Sequence, residues 1–316
     1  MTNTSDSRPR IVFLGTAEFG IPSLKILLDN QYPVVAVVTN PDKPAGRGQQ
    51  LSCSPVKEFA SQHQCQILQP ESLRNVSFIE QLKSLQPDIL VVVAFRILPP
   101  EVFTTARRGA FNLHASLLPK YRGAAPIQWA IINGEKETGV TTFLLEEKVD
   151  TGNVVLQARI PIGENETAGE IHDKLSEIGA EIVLHTVRLI EMGKAVPKPQ
   201  DAAAASRAPK IFKDDCKIHW DRTAVEVHNR IRGLSPRPGA FTVHQGNTIK
   251  MYRSRVLKDL KATRPGGILQ ADRQLVVSTK DGAVEIIELQ QEGKSKLAAE
   301  AFLRGYRLQV RDAFLP

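Results

Sequence analysis

The chain predicts an α/β fold in which a doubly wound, mostly parallel sheet is followed by a smaller all-β domain. Three observations carry this. Short apolar runs alternate with helix-spaced apolar positions through the first 190 or so residues, the pattern of a parallel sheet covered on both faces. The composition then shifts between Gly193 and Pro209 to Lys-Ala-Val-Pro-Lys-Pro-Gln-Asp and an alanine run. Beyond it, several short alternating strands lie between glycines and turns, which reads as a small β-barrel or sandwich.

In order, Ile11-Val-Phe-Leu14 is a buried-strand candidate ending at Gly15, and Ile21, Leu24, Leu27 and Leu28 follow at helical spacing. Val34–Thr39 is a second strand. Ser54-Pro55 combines an N-cap with proline at the first helical position and opens a helix to about His63. Gln66–Leu68 is a weak strand, Phe78–Leu85 a helix, and Ile89–Ala94 and Ala110–His114 are strands. After Asp150, Val154–Ile160 reads as a strand. Thr167-Ala-Gly-Glu170 is a capping-box pattern opening a long helix with Ile171, Leu175, Ile178, Ile182 and Leu189 on one side.

Residues 1–193 are thus expected to form the first domain, 194–209 an exposed linker and 210–316 the second domain. In the latter the pattern predicts a helix over Ala224–Arg232, strands at Ala240–His244, Thr248–Arg253, Gly267–Gln270, Gln274–Ser278 and Val284–Leu289, and a closing helix over Lys296–Arg304.

With 42% hydrophobic residues the chain can build an ordinary core, and no apolar run approaches the roughly 18 residues of a membrane span. The polar start Met1–Arg8 has no leader-like apolar stretch. Cys53, Cys65 and Cys216 form no Cys-x-x-Cys pair, which argues against a disulfide framework or a zinc site and fits a reducing cytoplasm. The charge is uneven. Residues 206–316 hold 21 Lys/Arg against 12 Asp/Glu, whereas residues 1–205 hold 20 against 22. The whole surplus of +7 therefore sits in the last third, where a polyanion partner or a merely solvated basic surface would account for it.

The chemistry centres on Asn112-Leu-His114-Ala-Ser116-Leu-Leu-Pro119, with Asp150-Thr-Gly152 further on. Asn112 and His114 share a strand face because residues i and i+2 point the same way. Ligand sites of open α/β sheets lie outside the C-terminal strand ends, where this motif falls. An amide can donate to a developing oxyanion, an imidazole can donate or relay a proton, and a carboxylate can accept one; those parts suffice to move an acyl group between two nitrogens. Ser116 lacks the Gly-x-Ser-x-Gly elbow of a nucleophile, so a turn or positioning hydroxyl is favoured. Asp150-Thr-Gly has no second copy to make an aspartic-protease dyad. Gly15-Thr-Ala-Glu-Phe-Gly20 lacks Gly-x-Gly-x-x-Gly and reads as a tight turn, which excludes a dinucleotide-dependent dehydrogenase. The Pro- and Gly-rich segment from Asn40 to Gln50, with Lys43 and Arg47, is a long loop able to grip phosphates or simply solvated. His172, His185, His219, His228 and His244 show no metal-like spacing and read as structural or surface groups. Phe212, Trp220, Phe241 and Tyr252 could stack bases or fill the core.

Together these segments resemble the methionyl-tRNA formyltransferase family over nearly the whole chain. The resemblance rests on Arg10–Thr16, Pro41-Asp-Lys-Pro-Ala-Gly-Arg-Gly48, Asn112–Pro119, Arg122-Gly-Ala-Ala-Pro-Ile-Gln128, Glu137-Thr-Gly-Val-Thr141, Asp150-Thr-Gly152 and Ser235-Pro-Arg-Pro-Gly-Ala-Phe241. It implies a Rossmann-like formyl-donor domain and an OB-like C-terminal barrel, with 10-formyltetrahydrofolate as co-substrate, no metal, and initiator Met-tRNA as acceptor and partner. It further implies catalytic roles for Asn112, His114 and Asp150, a folate-binding turn at Ser116, Leu117, Leu118 and Pro119, and tRNA contacts from Lys43 and Arg47. A cytoplasmic monomer is expected. One departure stands out: Ala94-Phe95-Arg96-Ile-Leu-Pro99 replaces the Ala-Tyr-Gly-x-Ile-Leu-Pro frequent in the family, one residue shorter and charged. The rival readings are a formyltransferase acting on an amino sugar or glycinamide ribonucleotide with the same three residues, and a nucleic-acid-binding protein on a degenerate enzyme scaffold.

Overall fold

Each apolar run of the first domain becomes a strand of one sheet. The computed structural model describes residues 8–45, 50–257, 259–310 and 312–315. Its first strands are β1 (Ile11–Gly15), β2 (Val34–Val38), β3 (Lys43–Ala45), β4 (Gln50–Ser52), β5 (Ile67–Leu68), β6 (Ile89–Val93), β7 (Ala110–His114), β8 (Glu137–Leu144) and β9 (Val154–Pro161). The main sheet runs β5-β2-β1-β6-β7-β8-β9, while β3 and β4 form a separate antiparallel pair. Pairing is parallel from β5 to β7, and β8 turns antiparallel to β7. The helices are α1 (Ile21–Asp29), α2 (Pro55–Gln62), α3 (Val76–Ser84), α4 (Pro100–Phe103), α5 (Pro126–Ile132) and α6 (Ala168–Glu191).

Val12, Leu14, Ala36, Val38, Leu90 and Val92 pack with Phe78 and Leu82 of α3 and Val102 of α4. The alternate residues Ile11, Phe13, Val37, Ile89 and Val91 are equally inaccessible, so both sheet faces are covered, as the unbroken apolar runs require. The Ser54 hydroxyl accepts from the Lys57 N–H at 3.1 Å ahead of Pro55. Thr167 and Glu170 form the reciprocal box, the Thr167 N–H donating to Glu170 Oε2 at 2.8 Å.

Three elements escape the apolar pattern. β8 is rich in threonine, yet Thr138, Thr141 and Thr142 are buried; Thr142 meets the Thr186 hydroxyl at 2.7 Å, so hydroxyl pairing replaces apolar packing. The short helices α4 and α5 each begin on a proline and are too brief to show a period. The stretch read as a loop contains two strands, Lys43–Ala45 pairing antiparallel with Gln50–Ser52 as β3 and β4.

The chain folds into two compact units. One comprises residues up to 123, 139–160 and 173–207; the other comprises 124–138, 161–172 and 208 onward. The second contains α7 (Ala224–Gly233), β10 (Ala240–His244), β11 (Asn247–Leu257), β12 (Ile268–Ala271), β13 (Leu275–Ser278), β14 (Ala283–Gln291), β15 (Leu297–Ala298) and α8 (Ala299–Gly305). Its antiparallel sheet runs β10-β11-β14-β13-β12, with β15 on β14. Leu315 bridges Val243 on β10 and Ala313 bridges Gly267 beside β12. The last residues thus join the two sheet edges and close a barrel, which removes the exposed edges. The closing helix expected from Lys296 starts later, because Leu297–Ala298 pairs with β14 first. Trp220, Phe241 and Tyr252 belong to the buried interior, and the Trp220 indole donates to Thr242 Oγ1 at 3.1 Å. Phe212 is exposed, with the Lys210 ammonium 5.6 Å from its ring centre. Among the described residues no helix is long and apolar enough to cross a membrane.

Candidate active site

β7 delivers Asn112 and His114 to the C-terminal edge of the sheet, in register with β6 through Val92–Asn112 and Val93–Leu113. Asn112 is half-buried, and its carboxamide makes no hydrogen bond among the described residues. His114 is only 7% exposed. Its Nε2 lies 2.8 Å from the Tyr121 carbonyl oxygen. A carbonyl can only accept, so this nitrogen carries hydrogen and Nδ1 is left open. Nδ1 faces Asp150 Oδ2 at 4.0 Å, within ion-pair range but beyond hydrogen-bond length.

Asp150 Oδ2 accepts from the Gly123 N–H at 2.9 Å. The Asp150 backbone is left-handed, with φ +57°. Gly152 explains the third letter of Asp-Thr-Gly: a Cβ there would sit 1.7 Å from the Leu144 carbonyl oxygen, so only glycine lets the turn close against β8.

The Ser116–Pro119 turn is braced from β8 and β9. The Ser116 hydroxyl donates to the Lys120 carbonyl at 2.6 Å, which commits it to the turn. Thr141 Oγ1 donates to the Ser116 carbonyl at 2.6 Å and accepts from the Leu118 N–H at 3.1 Å. Gln157 Nε2 donates to the Leu118 carbonyl at 2.8 Å and to Thr141 Oγ1 at 2.9 Å. Ser116 and Leu118 are buried, while Leu117 and Pro119 are half-buried.

Lys43 is exposed on β3, paired in register with Ser52; Arg47 lies outside the described residues. The strand's approach is anchored by Asp42, which Lys57 contacts and to which Gln69 donates at 2.9 Å. Those bonds hold the Asp42 carboxyl below its ordinary range. Arg96, in the departing segment, donates to the Glu71 carbonyl at 3.0 Å and the Pro70 carbonyl at 2.9 Å. Its charge thus sits on backbone carbonyls, and burial lowers its pKa.

The 194–209 segment is exposed along most of its length yet tied down at several points. Lys198 exchanges two 2.8 Å backbone bonds with Val154. Gln200 Nε2 donates to the carbonyls of Asp150 at 3.0 Å and Gly152 at 2.8 Å. Ser206 accepts from the N–H groups of Tyr121, on Oγ, and Arg122, on its carbonyl, both at 2.9 Å. Sequence reasoning missed Gln157, Gln200 and Ser206. A polar side chain acting through one or two hydrogen bonds leaves no periodic trace, and only the position of Gln200 inside a proline-rich linker set it apart.

Residues 9–187 match the model of the formyl transferase family, and residues 210–307 match that of the formyl transferase C-terminal domain. Fold and site thus define an enzyme of formyl-transfer type. A methionyl-tRNA formyltransferase of Caldanaerobacter subterraneus subsp. tengcongensis is 46% identical over 301 residues, 95% of this chain and 97% of that protein. One of Porphyromonas gingivalis is 46% identical over 310 residues, 95% and 96% of the two chains. Among solved structures, an N-formyltransferase from Helicobacter canadensis in complex with folinic acid and dTDP-3-aminofucose superposes with a TM-score of 0.69 at 21% identity, over 92% of this chain and 100% of that one; this likeness shows the fold alone. The chain belongs to the methionyl-tRNA formyltransferase family.

Proposed function

We propose that the protein, a cytoplasmic monomer, transfers the formyl group of 10-formyltetrahydrofolate to the α-amino group of methionyl initiator tRNA. The observation that carries this is the unpartnered Asn112 carboxamide beside a His114 whose one open nitrogen faces Asp150. The donor set suits the co-substrate: a formyl amide needs a hydrogen-bond donor for its oxygen and a proton route for the incoming amine, and it needs no covalent nucleophile. When bound, the folate supplies the formyl group on N10.

The chain's own residues would then divide the work. Asn112 Nδ2 donates to the formyl oxygen as negative charge grows there. His114 Nδ1 takes the proton that the attacking amine sheds. The resulting imidazolium keeps its Nε2–H on the Tyr121 carbonyl and faces the Asp150 carboxylate. It then returns the proton to N10 as that amine leaves, or donates to the oxyanion beside Asn112. The turn at Ser116, Leu117, Leu118 and Pro119 would border the folate. Lys43, with Arg47, would grip the acceptor arm. Residues 1–193 would form the catalytic domain and 210–316, with 20 Lys/Arg against 12 Asp/Glu, the tRNA-binding domain, joined by 194–209.

The test gives purified protein labelled 10-formyltetrahydrofolate with Met-tRNA, glycinamide ribonucleotide or an amino sugar. Label is expected on Met-tRNA; label on either small acceptor in its place would overturn the reading, and label on none would favour a binding protein. Binding of Met-tRNA should also weaken steeply with salt, as phosphate contacts require.

A further inference from the structure

We propose that Gln200 is a positioning residue for the reaction and that the 194–209 linker is a strut of the active site. The inference rests on the reading of His114 and Asp150 as the reacting pair.

The Gln200 carboxamide uses all of its hydrogen-bonding capacity. Its two hydrogens go to the carbonyls of Asp150 and Gly152. Its oxygen accepts from Arg122 Nε at 3.2 Å and Nη2 at 2.6 Å. No other natural side chain of this reach fits both ends: glutamate cannot donate to the carbonyls, lysine cannot accept from a guanidinium, and asparagine is one methylene short.

Asp150 needs such a brace. A left-handed backbone costs a non-glycine residue about 1 kcal/mol, and the carboxylate itself is held only by the Gly123 N–H among the described residues. Gln200 clamps the turn by the two carbonyls on either side of Thr151. The other end of the strut serves His114. Ser206 takes the N–H groups of both Tyr121 and Arg122, and the Tyr121 carbonyl receives the His114 hydrogen. A closed circuit therefore runs from His114 through Tyr121, Arg122 and Gln200 to Asp150, and it sets the 4.0 Å gap across which the pair meets. Gln200 itself touches neither reacting group's side chain, so its effect must pass through Asp150.

Gln200→Glu keeps the Arg122 leg and removes both donated bonds. Its kcat should fall about 10- to 100-fold, the scale of a misplaced catalytic group, with KM for both substrates and folate binding within about twofold of wild type. The decisive measurement is a double-mutant cycle in single turnover, using whichever acceptor the wild type formylates, so that a wrong acceptor assignment shows in the wild type and leaves this test intact. In an Asp150→Asn background the Gln200→Glu loss should disappear. An unchanged kcat, or an equal loss in that background, would overturn the proposal. Should Gln200→Glu fold poorly, Arg122→Lys removes the forked bond from the other side, and its smaller kcat loss must vanish in the same background.

Discussion

Both units bury histidines, and His114 of the first and His228 of the barrel unit are wired differently. His228 in the barrel unit is 5% exposed and His114 is 7% exposed, so burial does not tell them apart. Both nitrogens of His228 are occupied: Nε2–H donates to the Glu164 carbonyl, and Nδ1 accepts from the Ser254 hydroxyl, each at 2.9 Å. His114 has one nitrogen tied to a carbonyl and the other open toward a carboxylate. The buried asparagine of the barrel unit repeats the contrast, since Asn229 accepts from Arg232 at 2.9 Å while Asn112 accepts and donates nothing among the described residues. Asn112 is only half-buried, and neither its carboxamide nor His114 Nδ1 is a sealed polar group without a partner, so both remain reachable by a ligand. That accessible open valence, more than residue type or overall exposure, sets them apart from His228 and Asn229.

The largest effects should come from the open groups. His114→Ala and Asp150→Asn should each lower kcat by about 10²–10⁴, and Asn112→Ala by about 10²–10³, with melting temperatures near wild type. His228→Ala should leave turnover per folded molecule close to wild type. Single-turnover formylation measured beside thermal melts checks both arms, and a similar kcat loss in His228→Ala would erase the contrast.

Much of this was legible from residue order. β1, β2 and β6 are runs of mostly Val, Ile and Leu with buried centres, so hydropathy marks them, and Asn112-x-His114 falls at the end of the apolar run of β7; β3 and β4, Lys-Pro-Ala and Gln-Leu-Ser, show no such run and lie in the stretch read as a loop. β8 was invisible because three of its buried positions are threonines, two of which satisfy their hydroxyls on other elements, Thr142 on Thr186 and Thr141 on the Ser116–Leu118 turn. The Asp150-Thr-Gly152 turn could be read as chemistry, but its geometry depends on Gly152 meeting Leu144 and on Gln200, some 50 residues away. Single hydrogen bonds between distant loops leave no spacing to read. The same limit applies to the histidines. Sequence placed His228 among structural or surface groups, and nothing in its neighbours named Glu164 or Ser254 as its partners.

The closed groups should report in stability instead. Removing the His228 ring leaves the Glu164 carbonyl and the Ser254 hydroxyl without it, and His228→Ala should cost about 2 kcal/mol in denaturant unfolding. Its pH dependence has a definite sign. Burial holds the His228 pKa below the ordinary 6.5, against the opposing bond to the Glu164 carbonyl, and the Arg232 charge adds to the lowering. A lowered folded-state pKa gives stability that is full above about pH 6.5 and is lost as pH falls through the folded value, because the unfolded chain binds the proton first. Wild type should therefore lose stability as pH falls below about 6.5, and His228→Gln should flatten that part of the curve. Identical slopes in the two proteins would remove His228 from the account.

The smallest effect should come from a closed valence near the surface. Glu170 Oε2 takes the Thr167 N–H and hydroxyl, both at 2.8 Å, and Oε1 takes Arg253 Nη2 at 2.6 Å. Burial pushes its pKa up, but the Arg253 and Thr167 bonds outweigh that and hold it at about 2, below the ordinary 4.5. The stabilisation is thus present above pH 4.5 and fades as pH falls from there toward 2. Both partners of the ion pair are more than 40% exposed, so water and salt screen it, and Arg253→Ala should cost only about 0.5 kcal/mol at neutral pH. The Thr167 bonds remain in that variant, which leaves the helix cap in place. Following the Glu170 carboxyl by NMR should show its titration moving up toward 4.5 in Arg253→Ala. The stability difference between the two proteins should shrink as the pH is lowered through that range. A difference that stays constant down to pH 2 would mean that Arg253 acts by packing its methylenes on the barrel and not by closing the carboxylate's last valence.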